Sequence, residues 1–241
     1  MRTLLLAAVI GIVTATPAFP QDGYLFGMPR ATLTVHVGAA GPAANDELFR
    51  FFTDQLTLDR SDFAAPTIGF DIGVRIHPRF DALLSVASAH SSDDSEFRDF
   101  VEVNDEPIEQ TTKLSRTAVT AGLKAHLTSR GRSLGRYAFI PTRVSPYVGV
   151  GAGVLWYRLR QEGDFVDFET LDIFTDYFES DGATFTANAS AGGNFWLKPR
   201  WGLNVETRYS WAKANLHDSF SDFEQVDLRG WQLTAGVSVR F

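Results

Sequence analysis

The chain has 241 residues, no cysteine and a formal net charge of −7. Without cysteine it forms no disulfide bond, offers no thiolate to a metal and carries no lipidated cysteine. The acidic charge argues against nucleic acid as a partner, because phosphate binding requires a basic surface.

Residues 1–18 predict a secretory signal peptide. Arg2 supplies the positive start, residues 4–13 form an apolar stretch, and Thr16-Pro17-Ala18 is a small-residue cleavage site. The apolar stretch is shorter than the roughly 20 residues that a membrane-spanning helix needs. We therefore expect export, with residues 19–241 left as a single domain.

Alternation of apolar and polar residues, which is typical of β-strands, recurs along the chain. In 67–77, Ile68 and Phe70 alternate with Asp71, and Arg75 lies further along the same polar face. In 112–127 the polar face includes Lys124, and in 201–213 it includes Glu206 and Arg208. This pattern predicts eight strands, at residues 31–38, 67–77, 82–91, 112–127, 147–160, 183–197, 201–213 and 228–241.

The predicted connections alternate between long and short. Long ones fall at 39–66, 92–111, 161–182 and 214–227, and they hold 25 of the 29 acidic residues. Short ones fall at 78–81 and 198–200, and basic residues gather on their side of the chain. Segment 128–146 is an exception, since it is long on the short side; a strand extension and an ordered loop are both open.

Alternation alone does not decide which face points outward, since a soluble lipocalin-like barrel also alternates. Three features favour a membrane barrel. The polar face combines charged residues with glycines such as Gly149, Gly151 and Gly153, which suits a crowded interior. Aromatic residues gather near the strand ends, as at membrane interfaces. The last strand ends on Phe241 after alternating apolar residues, and it resembles the terminal strand that the outer-membrane assembly machinery recognises.

From the signal peptide to Phe241, the chain resembles the small outer-membrane barrel superfamily that includes the OmpA transmembrane domain, OmpX and OmpW. The resemblance lies in the architecture and not in a motif of one member. It implies an all-β fold, an eight-stranded antiparallel up-and-down transmembrane β-barrel, over residues 19–241. It also implies a location in the outer membrane, contact with outer-membrane lipids, insertion by the assembly machinery, and Phe241 as the assembly signal.

The charged residues of the polar faces form the first candidate site, a polar network in the lumen. Its predicted members are Asp71, Arg75, Lys124, Glu206 and Arg208. Buried charges need partners, so we expect Glu206 to meet an arginine or a lysine. The network is interpreted either as a structural plug or as a gated polar path.

The long loops form the second candidate site. Their carboxylates are of the kind that binds Ca²⁺ or Mg²⁺, although none has EF-hand spacing, and a solvated repulsive surface is the alternative. The loops also contain an unusual number of apolar residues. One set has helical spacing after a predicted N-cap, Asn45, and a second lies in the third loop: Leu48, Phe51, Phe52 and Leu56, then Phe165, Val166, Phe168, Leu171, Phe174, Tyr177 and Phe178. We expect either a packed cap over the barrel or a binding patch for an external ligand.

Catalysis has weak support in the sequence. His90-Ser91-Ser92 and His217-Asp218-Ser219 place His beside Ser, but no orienting acid can be assigned. His36, His77 and His126 are predicted to be hydrogen-bonded residues of the interior. The sequence predicts no cofactor and no metal centre. It favours a non-enzymatic protein of envelope structure or surface interaction. The alternative is a narrow porin, or an OmpW-like transporter of small apolar or ionic solutes.

Overall fold

The computed structural model describes residues 24–44, 46–101, 106–135, 138–167, 170, 172–216, 220, 223 and 225–241. Several predictions fall outside these residues: the signal peptide at 1–18, Asn45, Phe168, Leu171 and the group His217, Asp218 and Ser219. Among the described residues, no helix is long and apolar enough to cross a membrane.

The described residues form eleven strands and one helix. In chain order these are β1 (Ala31–Pro42), α1 (Glu47–Gln55), β2 (Ala65–His77), β3 (Phe80–Val101), β4 (Pro107–His126), β5 (Gly131–Leu134), β6 (Ala138–Pro141), β7 (Val144–Val166), β8 (Ile173–Trp196), β9 (Trp201–Asn215), β10 (Gln225–Asp227) and β11 (Gly230–Arg240). Eight of them, namely β1 to β4, β7 to β9 and β11, form one closed antiparallel ring. The predicted eight-stranded barrel is confirmed.

The strands are staggered around the ring. Following the paired residues once around the barrel from Thr32 leads back to Pro42, ten residues further along the same strand. A barrel of eight strands with this stagger has an interior that side chains can fill. Residues far apart in the sequence therefore meet inside it.

The wall is apolar outside and polar inside. On β9, Leu203 and Val205 are exposed, whereas Asn204 and Glu206 are buried. Large exposed aromatic residues form two girdles around the outside of the wall. Near the long connections these are Trp156, Phe185, Trp211 and Trp231, and near the short connections they are Phe195, Trp201 and Phe241. Apolar surface in water costs roughly 25 cal/mol per Å², so this wall is suited to lipid. The predicted direction of the two faces is confirmed.

The strands are longer than the sequence predicts at the end of the barrel that carries the long connections. By the rule for outer-membrane barrels we call this the extracellular end, and the opposite end the periplasmic end. Residues 92–111 and 161–182 were expected to be loops, but most of them continue β3, β4, β7 and β8. Ser95 pairs with Gln110 there, and Gly163 pairs with Asp176. The backbone ladder forms these extensions although the outer face meets water, and the buried inner face mixes polar residues such as Ser95 and Gln110 with apolar ones such as Ile108, so no regular alternation of polarity marks them.

The first long connection contains the helix that the apolar spacing predicts. Leu48, Phe49 and Phe52 are its buried residues. The predicted N-cap is wrong: Asp46 caps the helix, since its Oδ1 accepts a hydrogen bond from the Phe49 N–H at 2.9 Å. Asp is as good an N-cap as Asn, so the residue type does not tell which of positions 45 and 46 caps the helix. The backbone conformation decides it.

Segment 128–146 contains an ordered hairpin, and this resolves the exception in the pattern of loop lengths. Within it, β5 pairs with β6. Phe139 is buried and exchanges two backbone hydrogen bonds with Leu25, both at 2.9 Å. The hairpin and the segment around Leu25 thus meet at the periplasmic end of the barrel.

Candidate functional site

The centre of the lumen is a hydrogen-bonded network around Arg208. Its Nη2 donates to Glu206 Oε1 at 2.7 Å, and its Nη1 donates to Ser85 Oγ at 2.7 Å. The Asp71 carboxylate lies 3.5 Å from Nη2 and accepts from Ser85 Oγ at 2.5 Å. These side chains come from β2, β3 and β9, and all of them are buried. The network compensates two carboxylates with one guanidinium and a hydroxyl.

Tyr147 completes the network, and the sequence analysis missed it. Its hydroxyl donates to Glu206 Oε2 at 2.8 Å and accepts from Asn204 Nδ2 at 2.8 Å. A Cβ at Gly192 would lie 2.7 Å from the Tyr147 oxygen, so the absence of a side chain there makes room for the ring. The signal in the sequence that could have found Tyr147 was a tyrosine on the inward face of one strand, opposite a glycine on the neighbouring strand.

The other two predicted members lie around this network. The ammonium of Lys124 lies 4.1 Å from the centre of the Tyr147 ring, a cation–π contact. Arg75 is only partly buried, and its backbone N–H bonds to the Arg30 carbonyl at the periplasmic end. Its Nη1 has no hydrogen-bond partner among the described residues. Of the five predicted members, Asp71, Glu206 and Arg208 therefore form one network. Lys124 lies beside this network, and Arg75 lies nearer the periplasmic end.

A second buried cluster lies at the periplasmic end. Asp81 accepts hydrogen bonds from His126 Nε2 at 3.0 Å and from Arg130, and Ser145 Oγ lies 3.1 Å from His126 Nδ1. The prediction of a hydrogen-bonded interior histidine therefore holds for His126. The interior position is wrong for His77, which is exposed near the turn after a register shift, although its Nδ1 accepts a hydrogen bond from the Arg79 N–H at 3.3 Å.

His36 differs from both. It is buried, and its Nε2 lies 3.8 Å from Asp71 Oδ2. Within the described part of the chain, neither ring nitrogen makes a hydrogen bond. The expected position in the interior is correct, but the expected hydrogen bond is not present.

The extracellular half of the interior contains a large apolar cluster. We call the described residues of 44–64 and of 214–228 the loop cap. Its apolar side chains pack against inward side chains at the extracellular ends of the strands. Together they form one cluster, which includes Leu48, Phe49, Phe52, Leu56, Phe63, Leu114, Tyr157, Leu159, Leu216, Phe220 and Leu228. Of the two expectations for the apolar loop residues, packing over the barrel is thus observed for the helix.

The first and last parts of the loop cap are joined through Asp46. Its second carboxylate oxygen accepts a hydrogen bond from the Asp227 N–H. Burial raises the pKa of Asp46 above its ordinary value of 3.8, against the lowering effect of the Phe49 and Asp227 N–H groups. For Asp227, burial also acts to raise the pKa, but hydrogen bonds from Arg229 outweigh it and the pKa is lowered.

The remaining catalytic candidate does not assemble. Adjacent strand residues point to opposite sides, so His90 faces outward while Ser91 is buried inside. His90 Nδ1 instead lies 2.7 Å from Ser115 Oγ on the outer surface. Among the described residues, no group of three or more histidines and carboxylates is placed to hold a metal ion.

A closed antiparallel ring with an exposed apolar belt and a charged, filled interior defines a membrane-spanning β-barrel of the outer-membrane type. The sequence model of the outer membrane protein beta-barrel domain matches residues 5–241. The chain belongs to this family and is located in the cell outer membrane.

Comparison with known proteins adds three similar structures. Neisserial surface protein A is 13% identical with a TM-score of 0.46, covering 91% of this chain and 100% of that chain. OprG from Pseudomonas aeruginosa is 13% identical with a TM-score of 0.49, covering 90% and 99%. Ail, the attachment invasion locus protein of Yersinia pestis, is 13% identical with a TM-score of 0.46, covering 89% and 100%. No curated protein matches the sequence significantly.

Proposed function

We propose that this protein is a non-conducting, non-enzymatic surface protein of the outer membrane, and that its loop cap interacts with molecules outside the cell. The observation that carries the proposal is the filling of the lumen along its length. In this view the barrel is an anchor and the loop cap is the working part.

Three layers of side chains close the lumen. Phe139 and Leu25 lie at the periplasmic mouth, the Arg208 network lies in the middle, and Leu114, Tyr157 and Leu159 lie under the loop cap. The cavity on the periplasmic side of the network measures about 30 Å³. This volume has room for about two waters, since one water needs roughly 10–15 Å³. The cavity around Arg116 on the other side measures about 60 Å³.

The proposal includes the partners that a barrel of this kind requires. Outer-membrane lipids would surround the exposed belt that contains Val205, and the assembly machinery would insert the barrel through its last strand, which ends at Phe241. The lumen network acts here as a structural plug. A buried charge without a partner is costly, so the network would stay closed in the absence of a change in its charges.

A planar-bilayer recording of the refolded protein tests the proposal. We expect no steady conductance from the wild-type protein, because described side chains fill the lumen in three layers. As a positive control, Arg208→Ser combined with Tyr147→Ser empties the middle layer and should raise the frequency of current steps. A steady ohmic conductance of the wild-type protein would instead support the narrow porin and contradict the closed barrel.

A further inference from the structure

Positive charge is concentrated at the periplasmic end of the protein. The described residues of this end are 24–31, 75–81, 125–135, 138–146, 193–202 and 238–241. They include one acidic side chain, Asp81, and nine basic ones: Arg30, Arg75, Arg79, Arg130, Arg132, Arg143, Lys198, Arg200 and Arg240. The chain as a whole has a net charge of −7. This end is therefore opposite in sign to the rest of the protein, and it attracts anions.

Two of these arginines belong to the interior and not to the lipid-facing wall. Residues an even number of positions apart share a face of a strand. Arg75 thus lies on the same face of β2 as the buried Asp71, and Arg240 lies on the same face of β11 as the buried Ser238. Arg130 lines the same small cavity as Arg240. The lipids around the barrel contact the opposite face of these strands.

The guanidinium of Arg240 is held in place but is not neutralised. It lies 3.7 Å from the centre of the Trp196 ring, and its Nε donates to the Pro199 carbonyl. The residue is 4% exposed, and its Nη2 has no hydrogen-bond partner among the described residues. The nearby charge that acts on it is that of Arg130, which repels it. A buried cation without a partner is costly, so this position favours a bound anion.

Arg75 is in a similar situation at the rim of the lumen. Its Nη1 is buried and also lacks a hydrogen-bond partner among the described residues. Arg130 and Arg30 repel its charge, and Asp81 attracts it. The carboxylate of Asp81, however, accepts its hydrogen bonds from Arg130 and from His126. Arg75 therefore has a free donor for a second anion.

The buried charges of this half of the interior do not balance. From the Arg208 network to the periplasmic cavity, the cations exceed the carboxylates by one: Lys124, Arg130, Arg208 and Arg240 against Asp71, Asp81 and Glu206. Arg75 at the rim adds to the excess. A monovalent anion in the cavity would balance the buried part.

The periplasmic hairpin adds an apolar surface next to these charges. Phe139 is buried against the lumen, so Ile140, on the other face of β6, is exposed to the periplasm. Phe26 follows Leu25, which pairs with Phe139, and it therefore points the same way as Ile140, with 78% of its surface exposed. Arg132 lies opposite Ile140 in the hairpin. An exposed apolar patch rimmed by charged residues is typical of a surface that binds a partner.

We propose that the periplasmic end of this protein binds an acidic peptide segment of a periplasmic partner. One carboxylate would enter the small cavity past the half-buried Met28 and Pro29 and accept a hydrogen bond from Arg240 Nη2. Further carboxylates would pair with Arg75 and with the exposed arginines, and an apolar side chain would cover Phe26. The proposal goes beyond the proposed function and is independent of it, because it concerns the opposite end of the barrel.

The size and the position of the site determine the chemistry of this partner. The cavity measures about 30 Å³, which is room for about two waters. The two oxygens of a carboxylate can replace them, whereas a phosphate group has four. A planar carboxylate also matches the fork of N–H groups of a guanidinium. The inward position of Arg75 and Arg240 favours a soluble partner over the membrane, since lipid head groups surround the outer wall.

Fluorescence anisotropy on the full chain in phosphatidylcholine nanodiscs, with empty nanodiscs as the blank, tests the proposal. The probe is a short labelled peptide in which glutamate and leucine alternate, and the control peptide has glutamine in place of glutamate. We expect saturable binding of the glutamate peptide and about tenfold weaker binding of the control, equal to about 1.4 kcal/mol. At equal ionic strength, acetate should displace the probe more effectively than sulfate. Equal affinity for the two peptides, or no saturable binding of the glutamate peptide, would overturn the site.

Arginine variants separate the site from the general charge of this end. Arg240→Gln and Arg75→Gln should each weaken binding of the glutamate peptide about tenfold, since each removes a charge-assisted hydrogen bond. Arg79→Gln removes the same charge from an exposed turn and should weaken binding less than about twofold, because solvent and salt screen it. A heat-modifiable band shows that each variant has assembled. Equal losses in all three variants would assign the binding to diffuse charge and contradict the site.

The apolar part of the site has its own variant. Phe26→Ala removes an exposed ring and leaves every charge in place. It should weaken binding of the peptide of glutamate and leucine but not that of a peptide in which glycine replaces leucine. The same loss for both peptides would contradict a contact between Phe26 and the apolar side chain.

Binding of the basic end to anionic lipid would give a different pattern. Phosphatidylglycerol in the nanodiscs would then raise the temperature of unfolding, and Arg79→Gln with Lys198→Gln would cancel the rise. The glutamate peptide would not bind in phosphatidylcholine. That combination of results would overturn the peptide site in favour of the membrane.

Discussion

The guanidinium of Arg130 donates two hydrogen bonds to the carboxylate of Asp81, at 2.9 and 2.8 Å. Arg130 immediately precedes β5, while Asp81 belongs to β3 and is buried in the wall. Arg130 also donates to the Pro78 carbonyl at 3.2 Å. This pair therefore ties the periplasmic hairpin to the first short turn of the barrel.

The first prediction concerns this attachment. Asp81→Asn replaces one acceptor oxygen by a donor and removes the charge, so the two-bond contact with Arg130 is lost. We expect the hairpin to become mobile, seen as a sharper electron paramagnetic resonance spectrum from a spin label at the exposed Arg132 position. Asp94→Asn, on the opposite end of the barrel, is the control. A label at 132 with unchanged mobility in Asp81→Asn would show that Phe139 alone holds the hairpin.

The second prediction concerns Asp46, which uses its two carboxylate oxygens for different elements. Asp46→Ala removes both contacts and should cost about 1 kcal/mol of helix stability, so the amides of Phe49 and Asp227 should both exchange faster. Asp46→Asn retains one acceptor oxygen, which can still cap Phe49, and should speed up exchange at Asp227 only. Equal effects of the two variants at Phe49 would contradict the capping role.

The third prediction concerns pH, since the pKa of Asp46 is raised on folding and that of Asp227 is lowered. The contribution of Asp46 is fully present below 3.8 and is lost as the pH rises through its raised pKa. That of Asp227 is present above 3.8 and is lost as the pH falls through its lowered pKa. Between about pH 4 and about pH 7 the protection of Phe49 in wild type, relative to Asp46→Asn, should therefore decrease. A constant ratio of exchange rates would contradict the shift at Asp46.

The fourth prediction concerns the lipid-facing side of β9. Val205 is 44% exposed, midway between the aromatic girdles, so Val205→Arg should destabilise the barrel in vesicles by about 2–4 kcal/mol. Val205→Leu is the matched control and should have little effect. A spin label at 205 should be relaxed by oxygen and shielded from a water-soluble nickel chelate. Shielding from both reagents would place Val205 in a packed core and contradict the lipid-facing assignment.

The fifth prediction concerns Phe241, whose ring is exposed on the outer face while its N–H bonds to the Ala31 carbonyl at 2.9 Å. Phe241→Asp should leave the chain unassembled in the periplasm and sensitive to protease, as expected for a terminal recognition strand. Phe241→Tyr keeps an aromatic ring and should assemble. A heat-modifiable band of Phe241→Asp at the wild-type level would count against recognition at this residue.

The sequence by itself was sufficient to predict which face of each strand points out of the barrel and which points in. The period of two is a local property of a strand, so the outward position of Val205 and the inward position of Glu206 are both visible in the chain. The helix was visible for the same reason, because Leu48 and Phe52 recur at helical spacing. The N-cap was not, since Asn45 and Asp46 have similar chemistry.

Only the tertiary structure decided what meets inside the barrel. Ser85 and Arg208 are 123 positions apart and bond because the stagger of ten residues brings β3 and β9 to the same level. No periodicity records that stagger. The extended strand ends, the hairpin at the periplasmic end and the packing of the loop cap also depend on contacts between distant segments. The sequence thus determined which residues point inward, and the closure of the ring determined which of them touch.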